Sequence, residues 1–257
     1  MRPTIAPLLL AGWLCACGQG VALDALPSAG RARVAAAVAG DLLMLTDGTQ
    51  LRLAGVEAPH ADAPYAAEAK AALARLVQGR EIELLQGGAA ADPYGRTLAQ
   101  VRETAARRWI EGELLRQGAV RVRTYADNRA LAGAMLLEEA RARAAGRGLW
   151  AHAAYRVRLP QEVGPADRGL TVVEGHVGRV VRDGGRLRLE FTEAPDGFAA
   201  EIPRQAWDDM AVAGAAPVGL AGRLVRVRGA VRSSRGRPIL WLDHPEQIER
   251  LADRAAK

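Results

Sequence analysis

Both cysteines of the chain, Cys15 and Cys17, sit directly after an apolar run from Ile5 to Leu14. No cysteine follows. The globular part therefore has neither a disulfide between its own residues nor a cysteine-based zinc site to hold it together. It must rely on hydrophobic cores. A chain of 257 residues is long enough for two modest domains. Its 49% apolar content supplies at least one full core and excludes global disorder. Aromatics make up only 4%, so Leu, Val and Ala must build most of that core.

The same N-terminal run constrains destination. Arg2 gives a short positive region, and Ile5–Leu14 has the length of a signal-peptide core. It is too short for a bilayer, which needs roughly 20 residues. Residues 1–22 are expected to be an export signal and the start of a linker. Leu14-Cys15-Ala16-Cys17-Gly18 resembles a bacterial lipobox. That resemblance implies cleavage before Cys17 and a membrane tether through its lipidated thiol, although Cys15 is unusual for its place in the motif. A plain signal-peptidase site near Ala22 or Ala25 is the alternative. Either way the expected location is outside the cytoplasm, in the periplasm or cell envelope.

The formal net charge of +6 suits a polyanionic partner. Lys70 and Lys257 are the only lysines, and arginine supplies the rest. Such a bias also arises from GC-rich coding, so charge alone does not name a partner.

Residues 18–32 carry Gly, Pro and Ser and read as a linker. Short apolar runs at Val34–Val38 and Leu42–Leu45, the turn signal Asp47-Gly48 and Leu51–Leu53 predict a hairpin. Pro64 can open a helix whose stripe is Ala67, Ala71, Leu73, Leu76 and Val77, stopped by Gly79. Glu81–Leu84 and Leu98–Val101 read as strands around a loop from Gly87 to Gly95. Trp109–Arg116 and Leu131–Ala145 read as helices, stopped by Gly118 and by Gly146 with Gly148. Pro160, Gly164 and Pro165 mark a boundary within 155–168. Beyond it Val172–Val181, Arg186–Phe191, Leu224–Val231 and Ile239–Leu242 read as strands, with turns at Gly184-Gly185 and Ser234–Gly236. The expected class is α+β, with a first domain over 33–152 and a smaller mostly-β barrel over 168–250.

Three segments stand out for chemistry: Gly40-Asp41, Leu51-Arg52-Leu53-Ala54-Gly55-Val56-Glu57-Ala58-Pro59-His60, and Asp92-Pro93-Tyr94-Gly95-Arg96-Thr97. Each alone is ordinary, a surface acid–arginine pair or a turn. In this order they resemble the staphylococcal nuclease (thermonuclease) family. Gly79-Arg80-Glu81-Ile82-Glu83, Leu114-Leu115-Arg116-Gln117-Gly118-Ala119 and Gly148-Leu149-Trp150 extend the resemblance over roughly 34–150.

The resemblance implies a five-stranded oligonucleotide-binding (OB-type) barrel with helices, and Ca²⁺-dependent cleavage of DNA or RNA phosphodiesters. It places Asp41, Glu57 and the backbone carbonyl of Ala58 on the metal. It places Arg52 and Arg96 on the phosphate as catalytic clamps, and Tyr94 beside the bound nucleotide. His60 stands where the family carries the Glu assigned as general base. An imidazole also titrates near neutrality, but it differs in shape and becomes cationic on protonation. Loss of a positioned base costs about 10²–10⁴ in rate, so turnover is expected to be weak. Ala39 and Leu42 replace residues that are polar in the family.

Other candidates are secondary. Asp62 is either a substitute base or a solvated loop acid. His152, His176 and His244 read as structural or exposed, and Trp109, Trp150 and Trp207 as core. The stripe Arg223, Arg226, Arg228 is either a phosphate track or an exposed strand face. Residues 229–249 resemble an OB-like module that follows nuclease domains. Three readings result: a weak Ca²⁺-dependent nuclease on single-stranded DNA or RNA, an inactive nucleic-acid-binding envelope lipoprotein, or an envelope protein whose arginines meet acidic lipid or polymer.

Overall fold

The computed structural model describes residues 22–60, 62–214 and 216–252. The apolar run Ile5–Leu14 and both cysteines lie outside the described residues. Among the described residues no helix is long and apolar enough to cross a membrane.

The N-terminal unit opens with β1 (Ser28–Ala39), β2 (Leu42–Leu45), β3 (Gln50–Leu53) and β4 (Val56–Glu57). β1 begins inside the stretch read as linker, because Ser28–Arg33 pair with a later strand and not with their neighbours. The β2–β3 turn falls at Asp47-Gly48. Gly48 has φ 88°, and the Asp47 carboxylate accepts from Thr49 N–H at 2.9 Å. Helix α1 (Ala66–Val77) buries Ala69, Ala72, Leu73, Leu76 and Val77. Its buried stripe is rotated from the one expected: Ala67 and Ala71 are exposed. With alanine on every side, hydrophobic periodicity cannot fix the rotation.

β5 (Glu81–Leu85), β6 (Thr97–Glu103), β7 (Arg108–Trp109), α2 (Ile110–Gln117), β8 (Arg121–Val122) and α3 (Ala132–Ala144) complete the unit. α2 ends at Gly118, which takes φ 70° and packs against the Arg147 carbonyl, where a Cβ would approach to 2.2 Å. β1 pairs with both β2 and β5, β5 with β6, and β6 in parallel with β3. Strands β1, β2, β3, β6 and β5 thus pair in succession, consistent with an OB-type fold. Leu, Val and Ala dominate the core inside them, as the scarcity of aromatics requires.

The C-terminal unit holds β9 (Gly169–Asp183), β10 (Arg186–Phe191), β11 (Ala199–Pro203), α4 (Trp207–Val212), β12 (Leu224–Ser234), β13 (Arg237–Trp241) and β14 (Ile248–Arg250). The sheet order is β13-β11-β10-β9-β12-β14, with β13 also paired to β12. It closes over a separate core containing Phe191, Phe198, Leu189 and Ile202. The two units meet through a small apolar cluster, in which Ala142, Leu149 and Trp150 pack with Tyr155 and Val172, and through charges. Arg228 of β12 reaches Glu139 of α3 at 2.7 Å, and Arg129 reaches Glu246 at 2.9 Å.

Candidate nucleic-acid interface

The site begins at the corner between β1 and β2. Gly40 sits there because a Cβ would come within 2.7 Å of both Ala58 and Ala69. This tight corner drives Asp41 into the junction of β1, β3 and the strand that leads to His60. Asp41 is only 8% exposed, and its carboxylate accepts from Ala58 N–H at 2.6 Å. Arg52, opposite Leu42 in the β2–β3 ladder, forms an ion pair with the same carboxylate. Its guanidinium also donates to the Asp41 and Val56 carbonyls, each at 3.2 Å. Arg52 is therefore oriented from three sides before any ligand arrives.

Arg96 is held by a separate device. Asp92 accepts from Arg96 Nε and Nη2 at 2.6 Å, and from the backbone N–H groups of Tyr94 and Arg96 at 2.9 and 3.0 Å. Burial pushes the Asp92 carboxyl pKa up, but those hydrogen bonds and the Arg96 charge outweigh it and lower the pKa. The turn Asp92–Gly95 thus presents a fixed guanidinium. The Tyr94 ring stands 85% exposed beside it, 5.3 Å from the Arg96 guanidinium carbon.

Asp41, Arg52, Ala58, His60 and Arg96 line one cavity of about 460 Å³, together with Lys70 of α1. Five of the expected site residues therefore converge, although they come from three sequence segments. His60 is exposed on the rim. The loop behind it is tied down where the Tyr155 hydroxyl donates to the Pro64 carbonyl at 2.6 Å. No local motif marks Lys70 as a site residue. Its signal was available: it is one of two lysines in an arginine-rich chain, one helical turn from Ala66 on a face of small residues.

Glu57 departs from its expected place. β4 pairs with β8 so that Glu57 lies directly across from Arg121. Glu57 is 4% exposed, and its carboxylate is ion-paired with Arg123 and lies 3.6 Å from Arg121. It does not line the cavity. Two guanidiniums compensate a buried carboxylate that would otherwise be costly, and this fixes the side chain on the β4–β8 face.

This arrangement does not fit a calcium centre. Ca²⁺ takes six to eight oxygen ligands at short range. The cavity offers one carboxylate, already engaged by Ala58 N–H and Arg52, against the three cations Arg52, Lys70 and Arg96. Among the described residues, no three His, Cys, Asp or Glu side chains gather in a way that could hold a metal. An excess of cationic donors around a mid-sized cavity suits a phosphate group instead.

The arginine stripe of the C-terminal unit is also corrected. Arg226 pairs with Glu174 at 2.6 Å and Glu249 at 3.1 Å, and Arg228 is 2% exposed between Glu139 and Glu249. Neither tracks a phosphate backbone. They lie at the seam between the two units. His244 is fully buried there, its ring between Thr124 Oγ1 at 3.3 Å and Glu246 at 3.1 Å, in keeping with a structural role. Trp150 is buried, whereas Trp109 and Trp207 are half-buried and donate their indole N–H to Gln100 and Ile202.

The strands pair in an OB-type order, and Arg52 and Arg96, each clamped by an acid, converge with Lys70 on one cavity. Residues 50–152 match the family model described as staphylococcal nuclease homologue. This stretch is therefore SNase-like. The match contains Arg52, Glu57, Ala58, His60, Lys70, Tyr94 and Arg96, and begins after Asp41. No curated protein matches the chain.

Proposed function

We propose that this protein binds single-stranded nucleic acid through its phosphate backbone, with a phosphodiester seated between Arg52, Lys70 and Arg96 and a base against Tyr94. One observation carries the reading: the Glu57 carboxylate is taken by Arg121 and Arg123, which leaves Asp41 as the single acid in a cavity with three cations. The charge balance favours holding a phosphate over holding a divalent cation. An aromatic ring beside a guanidinium is what a flexible strand uses for stacking and backbone contact together.

Hydrolysis is the second reading. It is favoured by the family match and by the convergence of Arg52 and Arg96 on the cavity whose rim holds His60. In that case neutral His60 would take the proton of an attacking water, while the two guanidiniums balance charge on the phosphate.

One experiment separates them. Labelled single-stranded DNA and RNA are titrated with the protein in chelator and in Ca²⁺, reading anisotropy and product length together. Salt-sensitive binding in chelator with intact substrate is expected. Absent or salt-indifferent binding overturns the first reading, and cleavage above the background of an Arg96→Ala variant establishes the second.

A further inference from the structure

The two arginines that hold Glu57 are themselves held from outside the site. Arg121 donates from Nη1 to the Leu170 carbonyl of β9 at 2.8 Å, and its guanidinium carbon lies 5.0 Å from the Tyr155 ring centre. Arg123 lies over the Tyr125 ring at 5.6 Å. Arg121 is thus anchored by the C-terminal unit on one side and faces Glu57 on the other. Neighbouring Val122 donates its N–H to Glu139 at 2.8 Å, and Glu139 is paired with Arg228 of that same unit. β8 is therefore fixed to the seam at the successive residues Arg121 and Val122, and Arg123 follows directly after it.

We infer that Arg121 and Arg123 are positioning residues that keep the Glu57 carboxylate on the β4–β8 face, and so hold the neighbouring cavity in a form that accepts phosphate and refuses a divalent cation. Glu57 is one residue from Ala58, whose N–H already touches Asp41, so the acid is absent from the cavity because of its partners and not its position in the chain. Two cations on one carboxylate leave a local positive excess that repels an incoming metal. With both guanidiniums neutralised, a nearly buried carboxylate has no counter-charge. A hard cation shared with Asp41 is then the partner its chemistry prefers.

The inference rests on the SNase-type reading of the cavity, and does not depend on its affinity for nucleic acid. It is tested on the full mature chain by calorimetric titration with CaCl₂, in parallel with terbium luminescence. The Arg121→Gln/Arg123→Gln variant should bind Ca²⁺ about tenfold or more tightly than wild type, the scale on which neighbouring groups tune metal affinity. Adding Glu57→Gln should abolish the gain. Arg121→Lys/Arg123→Lys, which keeps both charges, should restore wild-type behaviour. A folded double Gln variant with wild-type Ca²⁺ affinity overturns the inference, as does a gain that survives Glu57→Gln. If the double variant does not fold, Arg123→Gln alone answers the same question. That side chain is 29% exposed, a smaller gain is expected, and no gain overturns the inference. Oligonucleotide binding in chelator is measured separately, so its failure would remove the proposed function and leave this result standing.

Discussion

Glu139 and Arg228 form a 2.7 Å ion pair with both side chains out of solvent, one on α3 of the N-terminal unit and the other on β12 of the C-terminal unit. Neither is alone. Glu139 also accepts from Val122 N–H and pairs with Arg143, and Arg228 also pairs with Glu249. The flanking carboxylates outweigh the cost of burial and hold the Arg228 pKa above its usual value. Such a pair is expensive to break from one side, because the buried Glu139 keeps its charge and loses one of its two cations. Arg228→Met should therefore cost about 3–5 kcal/mol, and Glu139→Gln added to it should recover much of that loss. Urea denaturation of both variants checks this. A cost under about 1 kcal/mol for Arg228→Met would mean that the seam is open to water.

Glu111 of α2 is fully buried, and both its carboxylate oxygens face Val101 N–H at 3.0 and 3.1 Å. Burial pushes its pKa up to about 8, against the hydrogen bonds that lower it. The sign follows directly. Between the ordinary carboxylate range and about pH 8 the folded protein holds a proton that the unfolded chain has released. Stability therefore falls as pH rises through that window and levels off above it. Other carboxylates, such as Glu162 with its pKa lowered to about 2 by Arg156, act in the opposite sense at acid pH. The difference between wild type and Glu111→Gln isolates the effect. The variant should gain on wild type steadily from pH 5 to pH 8 in thermal melts, and parallel curves would show that Glu111 is ionised in the fold.

How much of this was legible in the sequence depends on how locally each feature is determined. The Asp47-Gly48 turn, the Gly118 stop and the Asp92–Arg96 turn are set by residues within a few positions of each other, and they stand as read. The convergence of Arg52 with Arg96 was reachable only through the order of the motifs. Three features needed long-range pairing. Glu57 turns away because β4 meets β8, a register that no local pattern encodes. β11 is buried along its whole length, so Ala199–Pro203 shows no alternation to detect. Arg226 and Arg228 alternate with Val225 and Val227 as an exposed face would, yet that face is covered by the N-terminal unit. Periodicity reports which side of a strand is polar, and cannot report that the polar side is also an interface.

The cavity should declare its ligand through salt. Each phosphate held by a guanidinium or ammonium releases counterions, so the slope of log affinity against log salt falls by about one for each contact removed. Lys70→Ala and Arg96→Ala should each weaken single-stranded DNA and RNA alike and flatten the salt dependence. Tyr94→Ala should behave differently. It should cost about 1–3 kcal/mol of binding through lost stacking and leave the slope unchanged. Anisotropy at four salt concentrations distinguishes the two patterns. A flattened slope in Tyr94→Ala would place that ring outside the base-contacting role.

His60 carries the sharpest test of binding against hydrolysis. Its side chain stands on the rim of a cavity with Arg52, Lys70, Arg96 and a single engaged acid, Asp41. If His60 were a working base, weak cleavage would be present in the wild type and vanish in His60→Ala. The charge arrangement leads to a different expectation. His60→Ala should leave nucleic-acid binding nearly intact. His60→Glu should weaken it, because a new carboxylate competes with phosphate for the same three cations. It should still fail to produce Ca²⁺-dependent cleavage, since Glu57 remains with Arg121 and Arg123 and the cavity gains only one oxygen ligand group of the several that calcium needs. Both quantities come from one gel and one anisotropy titration on the folded variants. If His60→Glu alone switches on Ca²⁺-dependent cleavage, the cavity binds metal despite the diversion of Glu57. The enzyme reading then replaces the binding one.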